Sequence, residues 1–266
     1  VNCLSFSSER FLPLKLKCRR IQESFYFPGK AWLLTMDQNE IDPVRLIPWS
    51  LARSIFGASK VLSDLSGGNC VLEPKLMDRN KISLSKNGGL IFTDANLMKM
   101  SEKGFAYPVL SSIVSYPVLA FKTFRVLKKI EALYRQESPN IDQVKILMRS
   151  GLEASVTYAN HHHQSRMLME EEKGMIIFSV EEFGVIGWVR RNKMGIWETG
   201  SENFNQDASV YMNFKNLNLA LDGTLGKLNH MVEPAIGNIF IKGRLPLLEK
   251  FGFVSRTALR EIPLPR

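Results

Sequence analysis

The chain has 266 residues, of which 45% are hydrophobic and 10% aromatic, which is enough to build a sizeable core in one large domain or two small ones. This composition excludes a chain that is disordered throughout, and no run approaches the ~18 apolar residues that a membrane-spanning helix needs. The formal charge of +9 favours an anionic partner, either a phospholipid surface or a nucleic acid, unless the protein is merely basic.

Residues 1–35 form a segment rich in Lys and Arg and poor in acids. Such a segment is typical of an organelle transit peptide or of a basic arm; a third interpretation is that the natural chain starts at Met36. The three cysteines, Cys3, Cys18 and Cys70, have no paired spacing, which favours a reducing compartment over a disulfide framework. We therefore expect an intracellular protein, either cytoplasmic or organellar, with the mitochondrion among the candidates.

Residues 36–137 form an accessory region without a recognisable motif. Apolar spacing predicts a helix over 48–65, which Gly67 ends. Short strands are predicted over 81–84 and 89–93, with turn residues between them. Two interpretations stay open: a small subdomain of its own, or an embellishment packed on the C-terminal domain.

A basic amphipathic helix is predicted over 118–136 within this region. The basic residues Lys122, Arg125 and Lys129 share one face, and they suit docking on an anionic membrane surface. The alternative is an ordinary surface helix that packs its other face on the core. That other face is expected to hold the recurring apolar residues Phe121, Phe124, Leu127, Ile130 and Tyr134.

Residues 138–254 show the pattern of an α+β domain, followed by a C-terminal tail over 255–266. The domain opens with a helix from Ile141 that carries one apolar stripe. Strands follow, which predicts a five-stranded, mainly antiparallel sheet covered by helices. The predicted strands cover residues 175–180, 184–190, 194–199, 207–214 and 237–243.

The most informative segment, residues 223–248, reads GTLGKLNHMVEPAIGNIFIKGRLPLL. It resembles the C-terminal half of the type 2 sterol carrier protein domain, in which a "KLN" leads into a buried helix and then into a strand ending in "IKG". The residues that match this pattern are Gly223, Lys227, Leu228, Asn229, Ala235, Gly237, Ile239, Ile241, Lys242 and Gly243.

The resemblance implies a sheet and helices that enclose an apolar tunnel for sterols, fatty acids, acyl-CoA or phospholipids. It therefore implies a non-catalytic lipid-binding or lipid-transfer protein, whose ligand is a sterol, a fatty acyl or an isoprenoid-type lipid and which uses no cofactor. The side chains expected to line the tunnel are Ile177, Val210, Met212, Phe214, Leu221, Leu225, Met231, Ile236, Ile239, Ile241, Leu248 and Phe251.

Catalytic and metal-binding motifs are absent from the sequence. Three consecutive histidines, His161, His162 and His163, would diverge by roughly 100° each on a helix and so do not converge on a metal ion. The adjacent carboxylates Glu181 and Glu182 fall at a predicted turn and do not form an opposed acid/base pair. No phosphate-binding glycine loop or nucleophile elbow occurs, so we predict neither an enzyme nor a metal site.

Two other classes of function compete with this interpretation. A degenerate sterol-carrier domain could serve as a scaffold or accessory subunit of a lipid-metabolic or membrane-associated complex, with the N-terminal region as its docking surface for a protein partner. Binding of nucleic acid is disfavoured, because the helical spacing over 118–136 places aromatic and basic residues on separate faces and so makes no stacking platform.

Overall fold

A computed structural model describes most of the chain from residue 41 onward. By its internal contacts the chain divides into Val1–Ile41 and Asp42–Arg266, and the elements below belong to the second unit. The predictions for residues 1–35 and for the three cysteines lie outside the described residues. The residues that the structure describes are 41–67, 71–77, 80–85, 89–103, 107–136, 138–201, 207–229 and 232–262.

The described residues of the first part of this unit, up to residue 136, form four α-helices and a small sheet. The left-handed backbone of Gly67 (φ 60°) ends the first helix as predicted, and Pro117 stands in the first turn of the fourth. Strand β1 was not predicted, whereas β2 and β3 were. The elements are a 3₁₀ turn Pro43–Arg45, α1 Leu46–Ser66, β1 Lys75–Met77, β2 Lys81–Ser83, β3 Ile91–Thr93, α2 Asp94–Lys103, α3 Leu110–Ser115 and α4 Pro117–Tyr134.

The small sheet is antiparallel, in the order β1-β2-β3. Ile82 and Phe92 face each other across β2 and β3 and are buried. An ion pair of 2.8 Å between Arg45 Nε and Asp94 Oδ2 ties the start of α1 to the end of this sheet. The accessory region therefore has a core of its own.

The second part confirms the α+β class and the five strands. Each predicted strand is present with shifts of a few residues at the ends, and α9 continues through Glu261 into the segment that was predicted as a tail. The elements are α5 Ile141–His161, α6 His163–Met169, β4 Met175–Val180, β5 Gly184–Arg191, β6 Trp197–Gly200, β7 Val210–Phe214, α7 Leu217–Thr224, α8 Val232–Ala235, β8 Ile239–Gly243 and α9 Leu245–Glu261.

The strand order is β6-β5-β4-β7-β8, and every neighbouring pair is antiparallel except β4 and β7. The parallel pair arises because β5 and β6 extend the sheet on one side of β4, after which the chain crosses to its other side. Strand β4 is therefore central and almost wholly buried, as its mostly apolar run MIIFSV requires.

Helix α1 packs closely along α5, so the accessory region is joined to the C-terminal part through a helix pair. At the contact, a Cβ atom added to Gly57 would lie 2.7 Å from Glu153 Cγ and 2.9 Å from the backbone oxygen of Arg149. The glycine is therefore what allows the two helices to approach each other. Sequence periodicity did not predict this contact.

Charged side chains lie buried in the same helix pair. The Glu153 carboxylate accepts from Arg149 Nη2 at 2.8 Å and from Arg53 Nη2 at 2.7 Å. Arg149 is only 2% exposed, and this burial lowers the pKa of its guanidinium while the Glu153 carboxylate opposes the shift. The interface thus depends on one carboxylate shared by two cations.

Helix α4 faces the core with a different side from the one predicted. Its buried residues are Ala120, Thr123, Val126 and Ile130, whereas Phe121 and Phe124 are exposed by 64% and 46%. The interpretation that packs the aromatic face on the core was wrong for these two phenylalanines, because Ala120, Thr123 and Val126 form the contact side together with Ile130.

The three histidines stand where two helices meet. His161 is the last residue of α5, and His162 caps α6 by accepting from Ser165 N through its side chain. Within the described ranges, no group of His, Cys, Asp and Glu side chains is arranged to hold a metal ion. Nor does any helix there have the length and apolar character needed to cross a bilayer.

Candidate functional site

A cavity of about 1380 Å³ lies between one face of the large sheet and the helices α5, α7 and α9. It is partly open: Lys227, Arg256 and Arg260 line it and are exposed at the surface. Ligand pockets for small molecules measure about 300–1,000 Å³. The cavity therefore has room for a molecule as large as a long-chain lipid.

Two cross-strand rows of side chains form the sheet side of the cavity. Phe178 on β4 pairs with Met212 on β7, which pairs with Ile241 on β8. In the next row, Phe214 pairs with Ile239. These five residues all line the cavity, since residues directly opposite each other in a sheet share one face.

Helix α5 covers this sheet face and leaves space at its centre. Its cavity-lining residues are Leu147, Met148, Gly151, Leu152 and Ser155, a spacing that places them on one side of a helix. A Cβ atom added to Gly151 would meet no atom within 4 Å. The missing side chain of Gly151 thus adds to the open volume.

Helix α9 lines another side of the cavity and is held near both ends. Near its start, the buried Glu172 carboxylate lies 2.6 Å from Lys250 Nζ and 2.9 Å from Arg244 Nη2. At its end, the Tyr158 hydroxyl donates to Glu261 Oε2 at 3.0 Å. Burial and the Glu261 charge raise the pKa of Tyr158, so this hydroxyl keeps its proton to higher pH than a solvent-exposed tyrosine does.

The hydroxyl groups of the lining are engaged by the backbone. Ser155 Oγ donates to Gly151 O at 2.8 Å, Thr224 Oγ1 to Leu221 O at 2.7 Å, and Ser255 Oγ to Phe251 O at 3.0 Å. Each bond is made within one helix, so the hydroxyl proton is not presented to a molecule in the cavity. These hydroxyl groups therefore offer few free hydrogen-bond donors to a ligand, and the lining makes mainly apolar contacts.

The charged groups of the lining are concentrated at its exposed edge. Lys227, Arg256 and Arg260 stand there with one carboxylate, Glu249. The positive excess makes this edge suited to an anionic group at one end of an otherwise apolar molecule.

Seven of the residues predicted to line a tunnel do line the cavity, and the contact of any of them with lipid stays a prediction. They come from the two strands β7 and β8, from the end of α7 and from α9. They are Met212, Phe214, Leu225, Ile239, Ile241, Leu248 and Phe251.

The other five predicted residues lie elsewhere. Ile177 is buried on the opposite sheet face with Met175 and Trp188, because its neighbour Phe178 points into the cavity and successive side chains alternate. Val210 and Leu221 belong to the surrounding core without lining the cavity. Ile236 is 62% exposed, and Met231 lies outside the described residues.

Sequence reasoning missed the lining of α5 and the second half of α9. Met148 and Leu152 belong to the apolar stripe that predicted α5, so the stripe was a usable signal for that wall. Arg256 and Arg260 fall in residues 255–266, which the sequence predicted as a tail. Lys122, Arg125 and Lys129 are exposed on α4, and none of them lines the cavity.

Comparison with family models and with curated proteins found no match. Among solved structures, the chain is similar to the solution structure of the sterol carrier protein domain 2 of Helicoverpa armigera, with 21% identity and a TM-score of 0.33, covering 44% of this chain and 91% of that one. It is also similar to the apo form of Sterol Carrier Protein 2 from Yarrowia lipolytica, with 12% identity and a TM-score of 0.29, covering 44% of this chain and 97% of that one. Both of these structures are of sterol carrier proteins.

Proposed function

We propose that residues 138–262 form a lipid-binding module that holds one apolar or amphipathic lipid, such as a sterol, a fatty acyl chain or an isoprenoid, in the cavity. The observation that carries the proposal is the cavity of about 1380 Å³ between the sheet and three helices. Its walls are built mainly from Leu, Ile, Met and Phe side chains.

Packing physics supports a ligand in this position. Protein interiors are packed as densely as organic crystals, and side chains that border an empty apolar space lose dispersion contacts on that side. Gly151 keeps the space open at the middle of α5, where almost any other residue would fill it. A bound lipid restores the missing contacts, and the flexible Met148 and Met212 adapt to its shape.

The charge at the exposed edge indicates how such a ligand is oriented. An acyl or isoprenoid chain extends inward toward the buried Phe178 and Leu152, and its polar end stays near Lys227, Arg256 and Arg260. Cationic side chains at an open edge remain hydrated and contribute modestly. Apolar burial therefore supplies most of the affinity, at about 25 cal/mol per Å².

The test is to fill the cavity from α5. Gly151→Phe should place a ring in the open volume and abolish binding of a fluorescent fatty acid, while the circular dichroism spectrum and the urea midpoint stay close to wild type. Gly151→Ala is the matched control: it adds only a methyl group and should retain binding. Native mass spectrometry of the wild-type protein, followed by lipid extraction, identifies the ligand.

Two results would contradict the proposal. One is a wild-type protein that purifies without lipid and binds neither fatty-acid nor sterol probes; it would favour the scaffold or accessory-subunit interpretation. The other is a folded Gly151→Phe protein that binds the probe as tightly as wild type.

A further inference from the structure

Large apolar side chains project into solvent from α3 and the first half of α4. Leu110 is 77% exposed, Val114 81%, Val118 69% and Phe121 64%. Single exposed apolar residues are normal on proteins, but a run of them within one short segment marks an interaction site. We call this set, together with Phe124, the α3–α4 surface.

The core does not account for these residues. Helix α4 already buries a separate side made of Ala120, Thr123, Val126 and Ile130. On a helix, Phe121 and Phe124 lie away from Thr123 and Ile130. The α3–α4 surface is consequently a second apolar side, and it has no partner within the part of the chain that the structure describes.

Cations lie among these apolar side chains. Lys122, Arg125 and Lys129 are exposed, and the described residues offer them no ion-pair partner. Lys128 lies 5.9 Å from the centre of the Phe124 ring and pairs with Glu131 at 3.1 Å. Glu131 is the sole carboxylate of α3 and α4, so the surface combines apolar and positive groups.

We propose that the α3–α4 surface docks the protein on a bilayer containing anionic phospholipids. Phe121, Val118 and Leu110 enter the boundary between headgroups and acyl chains, and Lys122 and Arg125 contact the lipid phosphates. This combination is how amphipathic helices bind anionic membranes. The inference goes beyond ligand binding in the cavity, because no residue of α3 or α4 lines it.

The charge pattern distinguishes a membrane from a second copy of the chain. A twofold contact through this surface would bring Lys122, Arg125 and Lys129 of one copy against the same cations of the other, which is repulsive. An anionic bilayer offers the complementary charge over a wide area. It also accepts aromatic and aliphatic side chains without a preformed pocket.

The experiment is co-sedimentation of the full-length chain with phosphatidylcholine vesicles, with and without phosphatidylserine. We compare a charge variant, Lys122→Gln/Arg125→Gln/Lys129→Gln, with a control of equal charge change at exposed lysines of the other domain. The control is Lys173→Gln/Lys193→Gln/Lys215→Gln. The charge variant should lower the partition coefficient on phosphatidylserine vesicles on the order of 100-fold, and the control far less.

An apolar variant, Val118→Ser/Phe121→Ser, tests the other half of the surface. It should weaken binding on the order of 10-fold or more, because two partly inserted side chains are lost, while uptake of fatty acid into the cavity stays unchanged. If the charge variant and its control lose vesicle binding equally, net charge alone explains the binding and the proposal is overturned. Failure of the wild-type chain to bind either vesicle, or a dimer that this apolar variant dissociates, would also overturn it.

Discussion

The two sides of helix α5 are packed in opposite ways. On the side toward α1, a Cβ atom at Gly57 would lie 2.7 Å from Glu153 Cγ, and the buried Arg149 and Glu153 fill the interface. On the side toward the sheet, a Cβ atom at Gly151 would meet nothing within 4 Å. One glycine therefore lets two helices touch, and the other leaves a space unfilled.

The two sides of α5 therefore differ in role: one side anchors the helix, and the other borders the cavity. The α1 side is closely approached at Gly57 and is tied by ion pairs, so it holds α5 in place. The sheet side borders an open volume. Because α1 holds α5 rigidly, α5 does not collapse onto the strands. We infer that the accessory helix α1 supports the cavity from outside, and the changes below test that division.

The largest expected effect comes from removing the shared carboxylate. Glu153→Ala leaves Arg149 buried without a counter-ion, and breaking a buried pair in this way costs about 3–5 kcal/mol of the free energy of unfolding. Arg53→Ala is the matched control: its side chain is 32% exposed, so its loss should cost about 1 kcal/mol. Urea denaturation measures both changes, and equal small losses would show that Arg149 finds solvent or another partner.

The second prediction contrasts the two glycines directly. Gly57→Ala forces α1 and α5 apart or distorts them, at about 1–3 kcal/mol. Gly151→Ala meets no obstruction and should stabilise the protein by up to about 1 kcal/mol, because alanine has the higher helix propensity. Urea midpoints of the two variants should therefore move in opposite directions.

A matching loss of stability at both positions would mean that the α5 surface toward the sheet is packed after all. It would also weaken the case for a ligand, because a collapsed cavity has no room for one.

The sequence predicted local elements better than their partners. Alternation marked β7 and β8, and it placed Met212, Phe214, Ile239 and Ile241 on one side of the sheet. In β4 the run MIIFSV has no alternation. The sequence therefore predicted Ile177 as a lining residue, whereas Phe178 faces the cavity. A fully buried strand loses the very signal that would tell its two faces apart.

The sequence did not predict the orientation of α4 or the close contact of α1 with α5, for a related reason. Periodicity finds stripes of large apolar residues, but the contact side of α4 includes Ala120 and Thr123, which such a stripe overlooks. Gly57 is likewise invisible to periodicity, since its role depends on a helix nearly a hundred residues further along the chain. Contacts between distant segments need the fold itself.

The smallest predicted effect concerns a hydrogen-bonded chain across three helices. The Tyr134 hydroxyl of α4 donates to Ser150 Oγ at 2.6 Å, and Ser150 Oγ donates to the Ser54 backbone oxygen of α1 at 3.0 Å. Although 38% of the residue is exposed, burial of the hydroxyl raises the pKa of Tyr134 from 10.0 to about 12, against a lowering by the bond to Ser150. Tyr134→Phe should cost about 1 kcal/mol at neutral pH, the usual net value of one hydrogen bond.

The pH dependence of this loss has a definite sign. Below pH 10 Tyr134 is protonated in both the folded and the unfolded chain, so its contribution is fully present. Between pH 10 and about 12 the unfolded chain releases the proton while the folded one keeps it, and the free energy of unfolding falls as pH rises. Tyr134→Phe removes this part of the slope, so urea midpoints of variant and wild type should converge above pH 10. A difference in urea midpoint that stays constant from pH 10 to about 12 would mean that the Tyr134 hydroxyl is solvated. The hydrogen bond of α4 to Ser150 would then not contribute to holding α5.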